Sequence, residues 1–244
     1  IFRQDRIFQG GISQNSVPTG SIRTDTVSSL KHLSHLCNPH PLFLFQGMTW
    51  FQRTACLYIE RVLARFTHRV IAVSKSLYEE YSDIPGLGPE KVRYIPNGIH
   101  LEAFSRVARF GDEERKRAKR KIGCTRDAPV IGVVARLIPQ KGVQTFLRAV
   151  VLLEKAGFLP EVLIAGDGPS RDELEAISLE LGLGDQVRFL GFVEDMASFY
   201  AALDLFVLPS LSEGMPLALL EAMAAGVPIV ATRTGGIKDL ILTA

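Results

Sequence analysis

The chain has 244 residues, 47% of them apolar and 22% charged, and 28 basic against 26 acidic side chains leave a formal net charge of +2. That length suits one large or two ordinary domains, and the composition excludes a disordered chain and selects no polyanionic partner. No apolar run reaches the ~18 residues of a membrane-spanning helix, and three scattered cysteines, Cys37, Cys56 and Cys124, fit reduced thiols in a cytoplasmic setting.

The opening Ile1-Phe-Arg-Gln-Asp-Arg6 shows neither an initiator methionine nor a signal-peptide pattern, so the chain is expected to be cut from something longer. Polar, Gly- and Ser-containing sequence runs to Thr24, and residues 27–36 read as a helix. His32, His35, Cys37 and His40 gather near its end, but they match no common zinc spacing and lack a Cys-x-x-Cys pair. They are read as surface histidines of a helix. Residues 42–45 read as a strand followed by Gln46-Gly47, and 56–66 have helical spacing, with Leu57, Val62, Leu63 and Phe66 apolar among charged residues. Residues 70–73 form a strand that ends at Ser74, suited to capping the next helix. Residues 92–95 form another, closed by the turn Pro96-Asn97-Gly98. Residues 106–121 carry eight basic and three acidic side chains on an expected helix. With Phe110 its single aromatic, the stretch has no interleaved set for base stacking, and no nucleic-acid partner is expected. A solvated linker helix is the reading, with weak peripheral contact to an anionic membrane face as the alternative.

From Pro129 the pattern is regular. Strands are expected at 130–135, 162–165, 187–190, 205–208 and 227–231, with helices at 143–153, 171–181 and 196–203 between them. This alternation predicts an α/β fold whose parallel sheet is covered on both faces and takes ligands at the carboxyl ends of its strands. The domain organisation read here is 1–105 an N-terminal part, 106–128 the basic linker helix, and 129–244 a C-terminal Rossmann-like domain. Arg136 and Lys141 stand across a short loop after the first of these strands and can face one anion, the arginine as a fork and the lysine as a point charge. Gly166-Asp167-Gly168 reads as a tight turn after the second.

Residues 203–236 read as strand, glycine loop, short helix, strand and second glycine loop. Pro216 suits the first helical position, and Gly226 is placed to end the helix in a left-handed conformation. The helix N-terminus, at residues 214–217, offers unpaired N–H groups and a positive dipole end to an anion such as a phosphate. Glu213 precedes this helix and Glu221 follows in its second turn, with seven residues between them. On so apolar a helix an unpaired carboxylate is costly to bury, so Glu221 either reaches solvent or holds a polar ligand.

The stretch Glu213-Gly-Met-Pro-(x)4-Glu-Ala-Met-Ala-Ala-Gly-Val-Pro-Ile-Val-Ala-Thr resembles the E-x7-E segment of the retaining glycosyltransferases of family 4, which have the GT-B fold. The resemblance covers about residues 42–240 and includes R-x4-K-G at Arg136 to Gly142 and the Val-Ser and Pro-Asn-Gly-Ile stretches of the first part. It implies two Rossmann-like domains, the N-terminal one incomplete, and a sheet that stops before the family's last strand and C-terminal helices. It also implies a sugar donor held without metal: Arg136 and Lys141 on the diphosphate, Glu213 on hydroxyls of the transferred sugar, and Glu221 on the ribose hydroxyls. Arg136, Lys141 and Glu213 are its catalytic group. The main chain of Gly214, Met215, Pro216 and Leu217 would hold diphosphate and sugar, main-chain groups near Phe192 and Val193 would meet the nucleobase, and Gly166 would shape the pocket floor. Gln46 and Gly47 stand on the acceptor side, where the family carries a His-Gly pair.

The function so implied is transfer of a sugar, with retention, from a nucleoside-diphosphate sugar to a glycan, a lipid-linked sugar or a small molecule. UDP-sugars are favoured on frequency alone. No cofactor is expected, and no Asp-x-Asp occurs in the chain to hold a metal. The alternative is a non-catalytic nucleotide-sugar binding module or an inactive remnant of such an enzyme. An epimerase or phosphorylase on the same fold would need a His/carboxylate set or a pyridoxal phosphate lysine, and neither is identified.

Overall fold

Short β-branched runs separated by amphipathic helices give two parallel sheets in the computed structural model, which describes residues 49–124 and 127–241. The helix expected at 27–36, the strand at 42–45, the cluster of His32, His35, Cys37 and His40, and Gln46 and Gly47 all lie outside the described residues. Helix α1, Trp50–Phe66, starts at Trp50 rather than at residue 56. Strand β1 is Val70–Ala72 and helix α2 is Lys75–Ser82. The Ser74 hydroxyl caps α2 by accepting the Leu77 N–H at 3.3 Å, as its position predicted. After a single turn, α3 at Gly88–Lys91, strand β2 at Val92–Tyr94 pairs with β1 in parallel, Val70 opposite Val92.

The basic segment is not one helix. Helix α4, Leu101–Ser105, ends before it, and the segment itself comprises a 3-10 turn at Val107–Arg109 and α5, Asp112–Lys121. Gly111 starts α5 with extended backbone, and Glu114 reaches back to accept the Gly111 N–H at 3.0 Å. Three acids in the first turn and three bases in the last also match the helix dipole, which favours a new start here over a continuous helix. Nor is α5 solvated on all sides. Ala118 is buried, and Lys119 and Lys121 pair with Asp204 at 2.6 Å and Asp195 at 2.5 Å. Lys121 and the Ser198 hydroxyl and N–H hold the Asp195 carboxyl down at about 2.

The second sheet holds β3, Val130–Val134; β4, Glu161–Ala165; β5, Val187–Gly191; β6, Leu205–Leu208; and β7, Ile229–Ala231. The order is β5-β4-β3-β6-β7, and every pairing is parallel. Both faces are covered, which is why β3 and β4 are apolar along nearly their whole length. Helices α6, Val143–Lys155, and α7, Arg171–Glu180, cover one face with Val143, Phe146, Leu147, Val150 and Leu174. Helices α8, Met196–Ala202, α9, Leu217–Ala224, and α10, Ile237–Leu240, cover the other with Phe199, Tyr200, Leu219, Ala222 and Ile237. Gly226 leaves α9 at φ +67°, as expected. Pro216, in contrast, is the cap itself rather than the first helical residue, because its ψ of 122° is extended. No helix among the described residues is long and apolar enough to cross a membrane. From β3 the chain winds to β4 and β5 on one side and later to β6 and β7 on the other. The connections therefore diverge between β3 and β6, and a crevice opens at their carboxyl ends.

At the opposite end of the sheet Arg188 ties three segments together. Its guanidinium donates to the carbonyls of Ile122 and Gly123 at 2.9 Å each and lies 3.3 Å from the buried Glu161 carboxylate. Cys124, beside them, is a buried thiol whose pKa is pushed up to about 11, chiefly by burial, which keeps it protonated and unreactive. Arg188→Ala strands a buried carboxylate and two helix-end carbonyls. The expected loss is about 2–4 kcal/mol of stability by chemical denaturation. An unchanged midpoint would show that solvent replaces the guanidinium at no cost.

Candidate functional site

The carboxyl ends of β3, β4, β5 and β6 and one helix start build the crevice. After β3 the chain passes Arg136, turns once through Pro139–Lys141 and reaches Gly142 at φ +65°. A Cβ at Gly142 would lie 2.1 Å from the Pro209 carbonyl oxygen, so only glycine lets this loop meet the one that follows β6. The Leu211 N–H donates to the Gln140 carbonyl at 2.8 Å and locks the two loops together.

That junction brings Lys141 to Glu213. Nζ donates to Oε1 at 2.7 Å, and the Ser210 hydroxyl donates to the same oxygen at 2.6 Å. Glu213 is only 8% exposed and Ser210 fully buried, so this carboxylate oxygen is engaged by a cation and a hydroxyl rather than by water. Its Oε2 has no hydrogen-bond donor among the described residues and is left as an acceptor. Arg136 is exposed and pairs with no carboxylate among the described residues, so it is the surplus positive charge of the crevice.

The cleft so formed encloses about 600 Å³. Arg136, Lys141, Gly166, Asp167, Phe192, Glu213, Pro216, Leu217 and Ala218 line it. At the start of α9 the Leu219 and Leu220 N–H groups bond to the Pro216 carbonyl at 3.2 and 3.4 Å. Those of Leu217 and Ala218 have no acceptor among the described residues, and they present the positive end of the helix.

The wall behind Glu213 is backbone packed on backbone. Gly235, at φ +47°, lies so close that a Cβ there would sit 1.7 Å from the Glu213 carbonyl oxygen, and the Gly236 N–H donates to that oxygen at 3.2 Å. The Thr232 hydroxyl donates to the Ser210 carbonyl, and Thr234 Oγ1 donates to that of Leu211 at 3.1 Å. Residues before α5 brace this loop and helix α10 behind it. Asn97 Nδ2 donates to the Met215 carbonyl at 2.8 Å, and Asp239 accepts the Lys75 N–H at 2.7 Å.

Of the residues singled out from the sequence, Arg136, Lys141, Gly166, Phe192, Glu213, Pro216 and Leu217 meet at this cleft. Gly214, Met215, Val193 and Glu221 do not line it. Met215 is buried and its carbonyl is occupied by Asn97, and Val193 packs against the core. Glu221 is half-buried one turn beyond Ala218, and its Oε2 accepts from the Tyr200 hydroxyl at 2.9 Å. Burial raises its pKa above the usual carboxylate value, and the Tyr200 hydrogen bond opposes that rise. Asp167 lines the cleft within the turn read from the sequence, whereas sequence reading missed Ser210, Asn97 and Tyr200. Ser210 and Asn97 were visible only as turn residues, and a tyrosine within an apolar helix signals at most that its hydroxyl needs a partner.

The family model described as glycosyl transferases group 1 matches residues 114–243, and that described as glycosyltransferase family 4 matches residues 20–103. The chain is 39% identical over 176 residues to an uncharacterized glycosyltransferase of Methanocaldococcus jannaschii, covering 71% of this chain and 44% of that protein. It is 32% identical over 187 residues to the UDP-Gal:alpha-D-GlcNAc-diphosphoundecaprenol alpha-1,3-galactosyltransferase of Escherichia coli, covering 75% of this chain and 47% of that enzyme. Among solved structures, HepE of Anabaena in complex with UDP-glucose superposes with a TM-score of 0.67 at 27% identity, over 77% of this chain and 51% of that one. The chain spans about half the length of the relatives it matches.

Proposed function

The chain belongs to the group 1 glycosyl transferases, of GT-B fold, and from this premise we propose that its cleft binds the nucleoside-diphosphate sugar of a retaining, metal-independent sugar transfer. The observation that carries this reading is the convergence of Arg136, Lys141 and the open N–H groups of α9 on one crevice where the sheet's connections diverge. A diphosphate is the group that such a site suits: two cations and a helix start match its charge and its oxygens. The complex of HepE with UDP-glucose supports the assignment by analogy.

In the reaction, the bond between the anomeric carbon and the diphosphate oxygen breaks and its electron pair departs with the diphosphate. The acceptor hydroxyl oxygen bonds to the anomeric carbon, and its proton passes to the departing diphosphate. Charge on the leaving group is met by Arg136, by Lys141 and by the Leu217 and Ala218 N–H groups, all in place before it develops. The ammonium of Lys141 has three donors, so it can keep Glu213 and still reach a phosphate oxygen. Glu213 Oε2 is the acceptor for a hydroxyl of the transferred sugar. The nucleobase lies toward Phe192, which is 85% exposed at the cleft edge and free to cover a ring. The acceptor is a glycan, a lipid-linked sugar or a small molecule.

Calorimetric titration with UDP, GDP and ADP tests the reading. One nucleotide is expected to bind, and Arg136→Ala is expected to weaken it by about 1.5–3 kcal/mol, the usual value of a charged hydrogen bond. Absence of binding by any of the three to folded protein would overturn the donor site.

A further inference from the structure

Arg171, the first residue of α7, reaches further than a surface ion pair requires. Its Nε donates to Glu175 Oε1 at 2.8 Å, an ordinary pair one turn along the same helix. The other end of the guanidinium leaves the helix. Nη2 donates to the Phe189 carbonyl of β5 at 3.2 Å, and Nη1 lies 3.6 Å from Asp167 Oδ2 in the turn after β4. The cation thus stands between two turns that build the cleft, since Asp167 and Phe192 both line it. It meets β5 where that strand is irregular. Ile164 lies opposite Phe189 but Ala165 lies opposite Gly191, so Leu190 is an extra residue in the ladder. Gly191 then turns the chain at φ +67°, with Arg171 Nη1 3.2 Å from the point where a Cβ would stand. The Gly166 N–H donates to the Gly191 carbonyl at 2.7 Å and joins the two turns.

We propose that Arg171 is a positioning residue for nucleobase recognition: its guanidinium clamps the bulged end of β5 and so sets where the Phe192 main chain stands against the base. This rests on the donor-site reading above. Phe192 is 85% exposed, so its own side chain does not hold the loop. Val193 packs against the core on the far side, which leaves Gly191 and Phe192 as the span that the near side must fix. A base met by main-chain groups demands that placement, because such hydrogen bonds form only over about 2.7–3.2 Å. Arg136 and Lys141, the diphosphate cations of that reading, stand on the separate loop after β3. The clamp therefore acts at the base end of the ligand.

The test is calorimetry with the tightest-binding of UDP, GDP and ADP and with inorganic pyrophosphate, which probes the diphosphate end alone. Pyrophosphate is read by its displacement of the nucleotide, so that weak binding is still measured. Arg171→Met keeps the aliphatic stem and removes the donors. It should weaken the nucleotide about three- to tenfold and leave pyrophosphate unchanged. Arg171→Gln carries the same comparison, with the same expected split, should the methionine variant fail to fold. A residue that merely supported the fold would weaken both ligands by one factor. Pyrophosphate weakened as much as the nucleotide, or a nucleotide affinity equal to that of wild type, overturns the inference and leaves the donor site standing. No nucleotide binding by the wild type, or no displacement by pyrophosphate, overturns both.

Discussion

Lys141→Ala is expected to do the greatest damage at the cleft, on two separate counts. Its ammonium is the counter-charge of Glu213, whose side chain is 8% exposed against 22% for the lysine. Removing the cation leaves a nearly buried carboxylate with one hydroxyl donor, and breaking one side of such a pair costs about 3–5 kcal/mol. The lysine is also one of two cations on the proposed leaving group, and loss of a preorganised donor of this kind slows turnover about 10²- to 10³-fold. The two losses separate in Lys141→Ala combined with Glu213→Gln. The neutral amide needs no counter-charge, so the double variant should regain most of the thermal stability and none of the nucleotide affinity. A double variant that regained affinity as well would mean that Lys141 serves only to neutralise Glu213.

Gly235→Ala should be nearly as severe, though the side chain it adds is one methyl. The backbone there is left-handed, at φ +47°, which by itself costs a non-glycine residue about 1–2 kcal/mol. The added Cβ would stand 1.7 Å from the Glu213 carbonyl oxygen, a distance no contact tolerates. The two loops must part, and Glu213 moves with them. We expect a total cost of roughly 3 kcal/mol or more, with nucleotide binding lost in protein that remains folded. Gly157→Ala is the control. It is left-handed at φ +85°, but nothing lies within 4 Å of the point where its Cβ would stand, so it should show the backbone penalty alone. Equal melting shifts for the two variants would refute the close-approach argument.

Both predictions depend on contacts between segments far apart in the chain, and this is where reading by sequence stopped. The five strands of the second sheet were legible because each is a short apolar run bounded by Gly, Pro or Ser, with helical spacing between. The loop cations and the glutamate before α9 were legible because a strand-to-helix loop in a parallel sheet opens at the ligand-binding edge. Errors fell where a local rule met a stronger neighbour. Pro216 obeys the proline preference for helix starts but is displaced by one position, as the Met215 carbonyl is held by Asn97 from outside the loop. The basic stretch at 106–121 looked like one solvated helix, because its charge conceals the buried Ala118 and the new start at Gly111.

The residue types and their order along the chain thus determined by themselves the fold class, the five parallel strands and the loops that carry chemistry, since periodicity and turn residues act over a few positions. Tertiary structure alone decided how the charges pair. Lys141 and Glu213 follow β3 and β6, strands far apart in the chain that the sheet places side by side, and Glu221 accepts a hydrogen bond from a tyrosine on another helix. Coulomb and hydrogen-bond energies depend on separations of a few ångströms in space, and distance along the chain does not report them.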